Sequence, residues 1–208
     1  MSVAPRSTRP RIARADVTGV VLAGGLGRRM SADGQGLDKA LQPFRGRPMV
    51  AHVIERLVPQ VDTLLINANR NAARYQAFGW PVVRDAVAGF AGPLAGLHAG
   101  LCASATDWVV TAPCDSPFLP PDLVDRLAGA AAGAGVRIAV AATDDGHQPV
   151  FLLAHRAVLA GLEAFLAAGE RKVDRWYGAQ GHAVARFDDA AAFRNINTPD
   201  DLKRFELP

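Results

Sequence analysis

Seven short apolar runs, spaced by loops and helical patterns, constrain this chain more than any other feature. They are VTGVVLA (17–23), TLLINA (63–68), PVV (81–83), DWVVTA (107–112), RIAVAA (137–142), PVFLLA (149–154) and HAVARF (182–187). Between and after them the spacing predicts helices over 49–58, 93–103, 121–129, 155–167 and 199–205. Pro48, Pro121 and Pro199 sit where the first turn of a helix tolerates proline. NTPDDL is a helix start, with Thr198 as N-cap and Asp200 and Asp201 near the positive end of the helix. Strands apolar throughout, alternating with helices, make an α/β sandwich with a mostly parallel sheet. A length of 208 residues suits one such domain, expected over 16–208 behind an Arg-rich, disordered tail at 1–15.

Charge and cysteine content narrow the function. The net charge is +3, and Arg6, Arg9, Arg11 and Arg14 supply +4 of it, leaving 3 − 4 = −1 for the rest. The basic balance therefore belongs to the tail, and no nucleic-acid-binding face is expected. The tail is Arg-rich and acid-free like a transit peptide, but Pro5 and Pro10 spoil an amphipathic helix there. No apolar stretch approaches the roughly 20 residues of a membrane span. Cys102 and Cys114 are too few for a disulfide framework, so a cytoplasmic protein is expected.

Polar residues follow each of the first four strands: Gly24 and Gly25, then Asn67 and Asn69, then Asp85, then Asp115. Turns alone favour such residues. In an open parallel sheet, however, ligands bind outside the carboxyl ends of the strands, where these groups would converge. Glycines after the first strand let phosphates approach the backbone, and Arg28, Arg29 and Lys39 supply cationic donors. GLGRRM lacks the third glycine of a dinucleotide fingerprint, because Met30 stands in its place. Lys39 follows Asp38 rather than glycine, so a Walker loop is excluded too. Asp115, between Pro113 and Pro117, suits Mg²⁺, a cation that takes one or two carboxylates plus phosphate oxygens. Asp122 is expected to cap or begin a helix, and Cys114 to be a structural thiol.

TGVVLAGGLGRRM, DKAL, GRPMVAHVIERL, INANR, VVRDAVAGFAGPLAGL, APCDSPFLPPDL, AGERKV and RNINTPDDL, in that order, resemble the molybdenum cofactor guanylyltransferases. The resemblance runs from Val17 to the C-terminus. It implies a three-layer, Rossmann-like nucleotidyltransferase fold. It also implies transfer of GMP from GTP to molybdenum-bearing molybdopterin, with Mg²⁺ as cofactor and pyrophosphate as second product. By position, Leu22, Ala23 and Gly24 would meet GTP through the backbone, and Lys39 would bind phosphate. Asn67 and Asp85 would make further GTP contacts, Asp115 would hold the metal, and Arg29 matches the arginine of the RRM segment. Lys39, Arg29 and Asp115 would form the catalytic set. Asn195 and Asn197 match C-terminal asparagines, and Gly92, Gly96, Arg171 and Lys172 lie in segments that would face the second substrate. For Arg171 and Lys172 a solvated helix start is the alternative. Transient hand-off proteins and acceptor molybdoenzymes are the implied partners.

Two departures from the family pattern stand out: SADGQGL lengthens the loop before Asp38 and Lys39, and the Arg-rich tail is additional. The rival readings are a molybdopterin cytidylyltransferase, a sugar-phosphate nucleotidylyltransferase and a non-catalytic nucleotide-binding regulator. A dinucleotide-binding oxidoreductase would need the missing third glycine.

Overall fold

The computed structural model describes residues 11–24, 38–87 and 92–206. Its centre is a seven-stranded sheet. The strands are β1 (Val17–Leu22), β4 (Thr63–Asn67), β5 (Val82–Val83), β6 (Trp108–Pro113), β7 (Ile138–Thr143), β8 (Gly146–His155) and β9 (Ala183–Arg186). The missing numbers, β2 (Pro43–Phe44) and β3 (Arg47–Pro48), form a small antiparallel hairpin. The sheet order is β5-β4-β1-β6-β8-β7-β9. All neighbours run parallel except β8, which is antiparallel to both β6 and β7. Each apolar run of the sequence is a strand. The direction of β8 was not legible, since an apolar run carries no sense of direction.

Among the described residues seven α-helices accompany the sheet, with short 3₁₀ turns between elements: α1 (Met49–Leu57), α2 (Ala72–Gln76), α3 (Pro93–Ala103), α4 (Leu123–Ala134), α5 (Leu159–Ala167), α6 (Val173–Gln180) and α7 (Pro199–Glu206). Five match the expected helices; α4 runs further than expected and stops at Gly135, whose φ of 69° is the left-handed helix stop. The two-residue period of the strands sorts the core into two layers. Val17, Val21, Leu64, Ile66 and Val110 face the side of Leu57 of α1 and Leu123 of α4. Val20, Leu65, Val109 and Val140 face the side of Leu97 of α3, Leu162 of α5 and Trp176 of α6. The result is the expected three-layer sandwich. None of the described helices is long and apolar enough to cross a membrane.

The N-terminal boundary differs from expectation at its inner end. Ile12 is buried in the core, and Arg14 Nε donates to Val61 O at 2.7 Å, so the chain is anchored before residue 16. Residues 1–10 of the expected tail lie outside the described residues.

Candidate active site

β5, β4, β1 and β6 are adjacent and parallel, so their carboxyl ends open at one edge. β1 sits between β4 and β6, which is where an open sheet offers a ligand crevice. Asp115 follows β6 at this edge. Lys39, in a 3₁₀ turn over Lys39–Leu41, crosses to it and donates from Nζ to Asp115 Oδ2 at 2.5 Å. The same nitrogen donates to Asn197 Oδ1 at 2.6 Å. Lys39 and Asp115 retain only 13% and 16% of their side-chain exposure. Asp115 Oδ1 is buried and has no hydrogen-bond partner among the described residues. A buried carboxylate oxygen left open beside an ammonium group fits one inner ligand of a hard divalent cation.

The C-terminal asparagines are sewn onto the same place. Ile196 N donates to Asp115 O at 2.9 Å, and Ser116 Oγ donates to Asn195 Oδ1. Thr198 Oγ1 accepts from Asp201 N, while Asp201 Oδ2 accepts from the amides of Asn197 and Thr198. Thr198 caps the start of α7 as expected, and Asp201 returns the bond in a reciprocal cap that the sequence reading did not include. Those amides, with the Thr198 hydroxyl, hold the Asp201 carboxyl below the usual aspartate range.

A second polar cluster closes the β4 side. Asn67 Nδ2 donates to Asp85 Oδ1 at 2.8 Å and Asn69 Nδ2 to Asp85 Oδ2 at 2.7 Å. Asp85 N donates back to Asn69 Oδ1 at 2.9 Å. With its amide nitrogen committed, Asn67 turns Oδ1 towards Gly24 and Gly96: a Cβ built on each would stand 3.5 Å and 2.6 Å from it. Gly92 precedes α3 with φ 74° and ψ −162°, a conformation that excludes a Cβ.

Residues 19–184 match the family described as the MobA-like NTP transferase domain. The chain belongs to this family. It is 54% identical over 200 residues to a molybdenum cofactor guanylyltransferase of Cupriavidus necator, covering 94% of this chain and 98% of the relative. A Shewanella putrefaciens protein of the same description is 47% identical over 192 residues, covering 92% and 96%. The structure of molybdopterin-guanine dinucleotide biosynthesis protein A from Archaeoglobus fulgidus aligns with a TM-score of 0.72 at 25% identity, covering 91% and 96%. CMP:2-keto-3-deoxy-manno-octonic acid synthetase, at 14% identity and a TM-score of 0.69 over 93% and 97%, shares the fold.

Within this MobA-like chain the expected residues separate into groups. Lys39, Asp115, Asn195 and Asn197 meet, as do Gly24, Asn67, Asp85 and Gly96. Leu22 and Ala23 lie between the two groups, but their backbone is largely committed: Leu22 O accepts from Cys114 N, and Ala23 N donates to Asn67 O. Arg29 lies outside the described residues, as do Gly25, Arg28 and the inserted stretch 31–37. Arg171 Nη1 donates to Leu166 O and Glu170 O, the role of a basic side chain at the carboxyl end of a helix, here α5. Lys172 occupies the N-cap position of α6. Asp122 stands at the N-cap of α4, yet its carboxylate makes no capping bond and pairs with Arg126 at 3.6 Å. Burial, then the charge of Asp115, pushes the Cys114 thiol far above its ordinary range, so it stays protonated.

Sequence reasoning missed the support beneath Lys39. Asp38 Oδ1 accepts from Tyr75 Oη at 2.6 Å and Oδ2 from Asn71 Nδ2 at 2.8 Å. Asn71 adopts a left-handed φ of 53° and starts the short helix α2 that carries Tyr75. Burial and the bond to Asp38 keep the Tyr75 phenol protonated. The position of Asp38 beside Lys39 was the one available signal.

Proposed function

We propose that this chain transfers GMP from GTP to the terminal phosphate of molybdenum-bearing molybdopterin, forming the guanine dinucleotide cofactor and releasing pyrophosphate. The observation that carries this reading is Lys39 joined to Asp115 and Asn197 at the carboxyl edge of a parallel sheet, beside the Asn67–Asp85 cluster. The descriptions of the relatives supply the substrates.

An oxygen of the molybdopterin phosphate forms a bond to the α-phosphorus of GTP. The bond from that phosphorus to the bridging oxygen breaks, and the electron pair leaves with pyrophosphate. The attacking oxygen is already anionic, so no strong general base is needed. Catalysis then rests on alignment and charge neutralisation. Asp115 Oδ1 would hold Mg²⁺, which when bound neutralises phosphate oxygens and the leaving group. Lys39 keeps one N–H beyond those given to Asp115 and Asn197, and this donor serves a phosphate oxygen. Arg29 adds a second cation. Asn67 Oδ1, oriented by the hydrogen bond that Asn67 Nδ2 donates to Asp85, is an acceptor for guanine N–H groups, with Asp85 the other candidate. Asn195, Gly92 and Gly96 border the place for the second substrate, and Arg171 and Lys172 belong to its outer margin. A labile pterin calls for hand-off partners, and the two free cysteines are in keeping with a cytoplasmic enzyme.

The test measures melting temperature with GTP, CTP, ATP and UTP, with and without Mg²⁺, followed by pyrophosphate release with molybdopterin. At about 100 times its Kd a ligand adds roughly 2.7 kcal/mol, about 5–10 °C for a domain of this size. GTP alone should raise the melting temperature, more so with Mg²⁺, and support turnover. A preference for CTP would make the chain a cytidylyltransferase. Nucleotide binding without turnover would leave a regulator.

A further inference from the structure

Helix α3 carries His98 and Cys102 four residues apart, a spacing that puts both on one face. Glu163 of α5 reaches the same point. His98 Nε2 lies 3.2 Å from Glu163 Oε1 and 3.7 Å from Cys102 Sγ. All three donor atoms lie within 4.8 Å of one another. We propose that His98, Cys102 and Glu163 form a binding site for Zn²⁺, separate from the Asp115 site.

The distances carry the proposal. A tetrahedral Zn²⁺ with bonds of about 2.0 Å to nitrogen and oxygen and about 2.3 Å to sulfur sets an N···O edge near ~3.3 Å and an N···S edge near ~3.6 Å. The observed edges reproduce both. Hydrogen bonding accounts for them less well, because Nε2 has either one proton or one lone pair and faces two neighbours. A single ion would serve all three groups. The donor set also chooses the metal: imidazole, thiolate and carboxylate together suit Zn²⁺, whereas Mg²⁺ takes oxygen.

His98 is buried, while Cys102 and Glu163 are exposed, so the fourth coordination position opens to solvent and takes water. On coordination the Cys102 thiol releases its proton to solvent. His98 Nδ1 is buried without a partner among the described residues. The ring therefore lacks the outer acceptor that tightens many histidine ligands, and binding is weaker and more reversible than at a closed structural site. The ion would tie α5 to α3, whose first turn holds Gly96 against Asn67.

The experiment uses the full chain, stripped with chelator and kept in excess Mg²⁺ to fill oxygen-only sites. Zn²⁺ is titrated against a chromophoric chelator, and Co²⁺ is added separately to read thiolate coordination from its near-ultraviolet charge-transfer band. The expected result is one Zn²⁺ per chain and a Co²⁺–thiolate band. Cys102→Ser should abolish the band and weaken Zn²⁺ by about tenfold or more, while Cys114→Ala keeps both. Glu163→Gln, at an exposed side chain, should weaken Zn²⁺ without altering the circular dichroism. Wild-type Zn²⁺ affinity in folded Cys102→Ser and Glu163→Gln, or no thiolate band in the wild type, would overturn the site.

Discussion

Lys39 and Asp115 are 76 positions apart in the chain, yet the ammonium nitrogen of one stands 2.5 Å from a carboxylate oxygen of the other. The pair is mostly withdrawn from water, and Asn197 from a third segment completes it. Three stretches of chain thus deliver one cation, one metal-competent oxygen and one amide to a single point. The opposite charges of Lys39 and Asp115 offset each other across this contact, and Asp115 Oδ1 is left without a hydrogen-bond partner among the described residues.

Removing Lys39 leaves Asp115 enclosed without its counter-charge and takes away the donor proposed above for a phosphate oxygen. Lys39→Ala should lower turnover by roughly 10²–10³-fold, the usual consequence of losing one positioned donor. A cycle of Lys39→Met, Asp115→Asn and the double variant, followed by urea denaturation, should give a coupling of about 1–3 kcal/mol. The double variant recovers stability without activity. Wild-type turnover in Lys39→Ala would remove the lysine from the mechanism.

Tyr75 holds Asp38, the residue immediately before the same lysine. Tyr75→Phe deletes the hydroxyl that holds Asp38 Oδ1 and leaves a charged acceptor short of one donor. A hydrogen bond to a charged group contributes about 1.5–3 kcal/mol, so stability should fall by that order. Freed from this anchor, Lys39 should bind GTP more weakly, raising KM more than it lowers kcat. Asn71→Ala, which removes the partner of the other oxygen, should act in the same direction. An unchanged KM in both variants would separate Asp38 from the site.

The strands and most helices were legible because burial on both faces demands apolar runs, and the helices between them carry proline or capping starts. α2 and α6 were not. α2 has five residues behind a left-handed Asn71, too short to hold without the Tyr75–Asp38 bond. α6 reads VDRWYGAQ, polar and interrupted by Gly178, and is secured by the burial of Trp176 and Tyr177. In the site, Lys39 and Asp115 could be picked out by their chemistry at strand ends, whereas Asn197 was reached only through the resemblance that RNINTPDDL carries. The bonds around Asp38 and the meeting of His98 with Glu163 depend on packing between distant segments. No local pattern records them.

Gly96 offers a sharper test of how α3 meets the carboxyl edge of the sheet. A Cβ there would stand 2.5 Å from Leu22 Cδ2 and 2.6 Å from Asn67 Oδ1, and Asn67 is pinned by Asp85. Gly96→Ala must move the helix or the asparagine, and should cost about 1–3 kcal/mol while weakening GTP binding. Gly129 of α4 has nothing within 4 Å of the corresponding point. Gly129→Ala should therefore stabilise by about 0.4–1 kcal/mol and leave GTP binding unchanged. Thermal denaturation with and without GTP reads both; equal effects at the two positions would contradict the close approach at Gly96.

His155 sets a pH dependence far from the reaction. It ends β8, packs edge-on to Trp108 with ring centroids 4.9 Å apart, and accepts from Ala157 N through Nδ1 at 3.1 Å. That bond needs an unprotonated nitrogen. Burial, helped by Arg137 and Arg156 and opposed by Asp107, holds the imidazole below its usual titration range. The unfolded chain therefore binds a proton at a higher pH than the folded one, and stability rises with pH across the interval between the two values. As the pH falls from above about 6.5, the ordinary histidine value, wild-type stability should decline until the folded imidazole also protonates. His155→Gln, whose amide oxygen can accept but not titrate, should flatten this part of the profile. Urea denaturation at steps from pH 7.5 to pH 5 measures the slope, and an identical slope in His155→Gln would assign the dependence to another group.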